Sequence, residues 1–144
     1  MSKLFKRITS AAVAAATVVT MTVAASAATA TTGRQDFAGG QAEGFLSANP
    51  SSNNCYGETR FYYTPSDPMQ SGKLPLNISV SVLVRNLKTG KPYTSFSDTK
   101  YDMSYVHIGE TVSDGLLVTL EGDFYIEFTN ESWSREKDLE RVQL

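Results

Sequence analysis

Among 144 residues the chain has one cysteine, one histidine and one tryptophan. Each scarcity removes a class of chemistry. A lone cysteine cannot form an internal disulfide, so the fold must be held by its core. Cys55 also lies too far from the amino-terminal leader to carry a lipid anchor. Two roles are left to it: a thiol packed as a small hydrophobe, or an intermolecular bridge between two chains. One His and one Cys cannot close a structural zinc site. The sequence holds no Gly-x-Ser-x-Gly elbow, no phosphate-cradling glycine loop and no dinucleotide fingerprint. A Cys55–His107 dyad needs a fold that brings the two together. Calcium would have to use Asp98 with Asp102, or Asp114 with Glu121 and Asp123, but the EF-hand spacing is missing. The expectation is no metal and no cofactor.

Basic charge is also scarce. The chain has 13 Lys and Arg against 15 Asp and Glu, and Lys3, Lys6 and Arg7 stand at the start. They precede an uncharged run of Ala, Val and Thr from Ala11 to Ala24, then Ala25-Ser26-Ala27. Basic flank, weakly apolar stretch and small-x-small site make a secretory signal peptide, residues 1–28, with cleavage after Ala27, Ala28 or Ala30. The run is too rich in Ala and Thr to hold in a bilayer as an anchor. No second apolar run follows, so no membrane span is expected after signal cleavage. The short, Lys-led leader is of bacterial type, and the product is expected to be secreted. Without the leader ten basic residues face fifteen acidic ones, a net charge of −5. That balance, with no basic cluster, argues against nucleic acid as a partner.

What remains is about 115 residues, the size of one domain. A flexible leader and loop is expected over 29–54: the stretch is small and polar, with Phe37 and Phe45 as its large apolar residues, and ends in Asn49-Pro50-Ser51-Ser52-Asn53-Asn54. Period-two alternation then dominates 55–144, and alternation marks half-buried strands. In one strand Thr59, Phe61 and Tyr63 oppose Glu58, Arg60 and Tyr62. In the next, Ile78, Val80, Val82 and Val84 form an apolar face. Lys88-Thr89-Gly90 reads as a turn that pairs Val84 with Thr94 and Val82 with Phe96. A loop is expected from Asp98. Beyond it Tyr101, Met103, Tyr105 and His107 share a face opposite Val106 and Ile108. Gly115 to Asn130 reads as a hairpin closed by Glu121-Gly122-Asp123, with Leu120 opposite Phe124. Glu131 to Leu144 suits either a short helix or a charge-protected edge strand. Strands without a long helix predict an all-β fold, a small antiparallel two-sheet β-sandwich, with a small β-barrel as the alternative.

Aromatics carry the functional signal. Outside the leader there are six Phe, seven Tyr and one Trp. Flat rings on a sheet surface can stack on sugars or anchor a protein, although aromatics also fill strands for packing alone. Tyr62 and Tyr125 face away from the expected core, and Trp133 lies beyond the expected hairpin, so these three are the candidate ligand-binding residues. The sequence therefore points to a non-enzymatic binding protein whose partner is an extracellular protein or glycan. Two alternatives differ in class. One is a small hydrolase that uses acidic residues with His107; the other is an assembly protein that dimerises through Cys55.

Overall fold

The computed structural model describes residues 27–63 and 73–144. Among the described residues nine strands run in chain order: β1 (Ala28–Thr31), β2 (Gln35–Phe37), β3 (Gly40–Asn49), β4 (Asn54–Tyr63), β5 (Asn77–Asn86), β6 (Pro92–Lys100), β7 (Tyr105–Thr111), β8 (Leu117–Phe128) and β9 (Glu131–Gln143). They form two antiparallel sheets. Sheet A has the order β1-β3-β4-β7, with β2 also paired to β3; sheet B has the order β6-β5-β8-β9. Each sheet keeps its own edges, so the fold is a sandwich and not a closed barrel. The signal peptide expectation lies almost wholly outside the described residues.

The inner faces follow from alternation. Ile78, Val80, Val82 and Val84 are all buried, and so are Val118, Leu120, Phe124 and Ile126. Thr59 is the buried polar side chain of the core, and its hydroxyl donates to the Ser79 carbonyl across the sheets at 2.7 Å. That bond satisfies a group that would otherwise be costly to bury. At one end Phe37, Phe61, Tyr63 and Phe128 close the core through edge-on and tilted ring contacts.

The expected hairpin at Glu121-Gly122-Asp123 does not exist. Residues 117–128 are one continuous strand, β8, and the turn falls at Thr129-Asn130, where Phe128 pairs with Glu131. The reason is parity. Even-numbered residues from Val118 to Phe128 face inward whether the chain runs straight or turns over three residues. Gly122 is there for space: a Cβ at that position would sit 2.8 Å from Leu46 and from the Phe124 ring. Leu120 therefore pairs with Val84 and Leu139, and Phe124 with Val80 and Arg135.

The expected leader over 29–54 is likewise part of the sandwich. Ala42, Gly44, Leu46 and Ala48 alternate inward along β3, and Ala42, Leu46 and Ala48 have no exposed surface. Apart from Leu46 these inward side chains are small because large ones face them: a Cβ on Gly44 would lie 2.3 Å from the Phe124 ring. Ala38 and Gly39 turn β2 into β3 with φ of 50° and 74°, the mirror-image turn that matches strand twist. Asp98, expected to open a loop, pairs with Val80 inside β6. The expected pairs Val84–Thr94 and Val82–Phe96 are present, and Gly90 holds a φ of +68°. Of the two forms considered for 131–144 the strand is found; β9 is an edge lined by charged residues, which discourage further pairing.

Candidate functional site

The two outer faces differ in chemistry. Sheet B presents Ser79, Ser81, Ser95 and Ser97 with Asp123, Glu136 and Tyr125. Arg85 and Glu121 form a fork there, at 2.6 Å and 3.1 Å, and Asn77 donates to the Glu127 carboxylate. Hydrogen bonds from Arg85 hold the Glu121 carboxyl below its ordinary range.

Sheet A presents rings. Alternation places Glu43 and Phe45 of β3 outward, beside Tyr56, Glu58, Arg60 and Tyr62 of β4 and Tyr105 and His107 of β7. The register pairs Glu43 with Arg60, Phe45 with Glu58, and Glu58 with His107. Ring centroids step across the sheet: Phe45 to Tyr56 at 6.4 Å, Tyr56 to His107 at 5.8 Å, His107 to Tyr105 at 6.0 Å. These separations are those of mutually attracted aromatic pairs.

Charged groups fill the gaps and neutralise one another. Tyr56 donates its hydroxyl to Glu58 at 2.6 Å, and Arg60 forms an ion pair with Glu58. Tyr62 donates to Glu43 at 2.9 Å, Thr31 donates to the other Glu43 oxygen at 2.9 Å, and Arg34 lies 3.6 Å away. Burial first, then the hydrogen bond and charge of Glu58, push the Tyr56 phenol well above its usual range. Tyr56 is therefore a fixed neutral donor. Two hollows open beside this network. One, about 250 Å³, is bounded by Glu43, Phe45, Glu58, Arg60 and Tyr62; the other, about 490 Å³, by Arg60, Phe61, Tyr62, Tyr63, Ser104 and Tyr105. They share Arg60 and Tyr62. A wider depression of about 810 Å³ separates β1 from β9, but it is lined by no aromatic ring and lies along two sheet edges.

The three candidate rings do not form one site. Tyr62 is on the outer face of sheet A, yet Arg34 covers its ring at 3.9 Å. Tyr125 is on the outer face of sheet B, beside a separate hollow with Ser79, Ser81 and Arg135. Trp133 is no surface ligand. It is 5% exposed, packs in the core, and donates its indole N–H to Gln35 at 3.2 Å. The odd-numbered residues at the start of β9 face inward, which explains the misplacement. Cys55 has no exposed surface, and burial with nearby Glu110 pushes its thiol up to about 11. A disulfide between chains is incompatible with that position. Cys55 faces the core and His107 faces solvent, so no dyad forms between them. Among the described residues no group of three or more His, Cys, Asp or Glu side chains is placed to hold a metal.

Sequence reasoning misses Phe45 and Glu43, because β3 falls within the stretch expected as flexible leader and loop, and it does not bring Tyr105 beside Tyr62. The usable signal was the outward parity shared by Tyr56, Glu58, Arg60 and Tyr62; the pairing of that strand with β3 and β7 was not visible. No family model, curated protein or solved structure matches this chain.

Proposed function

We propose that this is an exported, non-catalytic binding protein whose outer face of sheet A holds an extended glycan of a cell surface or extracellular matrix. One observation carries the reading: the line of rings Phe45, Tyr56, His107 and Tyr105 across three strands, at 5.8–6.4 Å spacing. Aromatic faces bind the C–H faces of sugars, while the carboxylates, guanidinium groups and phenols between them suit hydroxyls. Tyr105 is 48% exposed and is the open platform, since Arg34 occupies the face of Tyr62. The carboxylates Glu43 and Glu58 are each held by a phenol and paired with an arginine, which favours binding over acid–base turnover.

The test is depletion of purified mature protein from solution by insoluble polysaccharides and cell-wall preparations. Depletion of the wild type, lost in Tyr105→Ala, is the expected result. Equal depletion of both proteins, or of neither, contradicts the assignment of this face.

A second reading rests on a different feature. Leu74, Leu76, Tyr101 and Met103 are exposed near the end of the sandwich where β5 begins and β6 ends, and Tyr101 is 71% exposed. Exposed apolar groups at one end suit a protein partner. Co-purification of a single protein from culture medium, abolished by Tyr101→Ser with Met103→Ser, would favour it over the glycan.

A further inference from the structure

The hollow at the centre of sheet A also defines the ligand's charge, provided the glycan-face reading above holds. Glu43, Glu58 and Arg60 line the hollow, and each already has a partner of opposite charge within the protein. Arg60 meets Glu58, and Arg34 lies 3.6 Å from Glu43. The two carboxylates repel an acidic sugar, and the Arg60 guanidinium repels an amino sugar. Each charge is already answered within the protein, so an ionic ligand gains little attraction and must disturb a pair in order to bind.

The same groups retain unused hydrogen-bonding capacity. A carboxylate offers about four lone-pair sites. Glu58 uses two partners, the Tyr56 hydroxyl and Arg60, and its side chain keeps 16% of its exposure. A guanidinium carries about five N–H donors in a fixed fork. The Arg60 side chain is 45% exposed, with Glu58 as its one ion-pair partner among the described residues. An acceptor and a planar donor therefore stand side by side between the rings of Phe45 and Tyr62. Adjacent hydroxyls on a sugar ring match that arrangement. One donates to the carboxylate while its neighbour accepts from the guanidinium. Arg60 belongs to both hollows, so it stands where two consecutive sugar units would meet.

We infer that the Glu58–Arg60 pair, with Phe45 and Tyr62 beside it, is a subsite for an uncharged sugar bearing vicinal hydroxyls, within a neutral polysaccharide chain. The ligand lies across the strands from β3 to β7, along the line of rings.

Titration calorimetry of the mature protein with neutral hexasaccharides of glucose, xylose and mannose, and with galacturonate and glucosamine hexamers as charged probes, tests this. At least one neutral hexamer should bind, with affinity unchanged between low and high salt, because a neutral ligand has no charge to screen. Glu58→Gln and Arg60→Met should each weaken it by about tenfold or more, as expected for loss of hydrogen bonds to charged groups. Tyr125→Ala, on the opposite sheet, should not change it. Thermal melts of each variant show whether it is folded. Binding of the charged hexamers alone, or affinity that falls steeply with salt, overturns the neutral class and leaves the face assignment standing. Failure of every hexamer to bind overturns the subsite, while matrix depletion separately decides the face. Full binding by a folded Glu58→Gln variant also overturns it.

Discussion

At the residue scale the decisive contacts are close ones. Ile126 has no exposed surface and pairs with Ile78 on one side and Trp133 on the other. Ile126→Ala should cost about 2–5 kcal/mol, read as a lowered midpoint in denaturant; an unchanged midpoint would remove Ile126 from the core. Gly44→Ala adds a methyl group where the Phe124 ring already stands 2.3 Å away. Overpacking of this kind costs about 1–3 kcal/mol, so the variant should melt below the wild type even though Ala suits a strand better than Gly. Cys55 gives a pH signature. Burial, with the nearby Glu110 charge, pushes its thiol up from an ordinary 9.0 to about 11 in the folded state. A thiol that stays protonated longer in the folded state stabilises it fully below pH 9, and the contribution is lost between pH 9 and 11. The loss is roughly 2–3 kcal/mol. Cys55→Ala should flatten that alkaline decline, measured as melting temperature against pH. Maleimide should label Cys55 only after unfolding.

At the element scale β1, β2 and β9 are tied together. Trp133 of β9 reaches Gln35 of β2 through one hydrogen bond, and Ala28 and Ala30 of β1 pack on the core beside β9. Trp133→Phe should lose about 1 kcal/mol while leaving glycan retention unchanged, because the ring is inside. Cleavage of the leader after Ala27 would keep β1 whole, whereas cleavage after Ala30 would remove most of it. If the chain is exported as proposed, the mass of the mature protein should therefore place its first residue at Ala28. Strands with large inward residues, such as β5, were legible in the sequence. β3 was not, because all its inward positions except Leu46 are Ala or Gly, which make room for Phe61 and Phe124 on other strands, a requirement set by tertiary packing. For the same reason Gly122 read as a turn. The β5–β6 register was legible because Gly90 needs its left-handed φ locally, whatever packs nearby.

At the scale of the whole molecule the sandwich separates two surfaces: a hydroxyl-rich one on sheet B and a ring-lined, charge-balanced one on sheet A. Alternation alone assigned Tyr62 and Tyr125 to outer faces but had no means of placing them on different sheets. That depends on which strands pair: β4 with β3 and β7, and β8 with β5 and β9. The ring-lined face exists only once those pairings are made, since Phe45, Tyr56 and Tyr105 come from three strands.

The most direct measurement is amide NMR of the labelled mature protein during titration with a soluble fragment of whichever polysaccharide depletes it. Shifts concentrated at Phe45, Tyr56, Glu58, Arg60, Tyr105 and His107, with Ser79, Ser81 and Tyr125 unmoved, are the expected result. Shifts confined to sheet B, or to the edge strands β1 and β9, would contradict it.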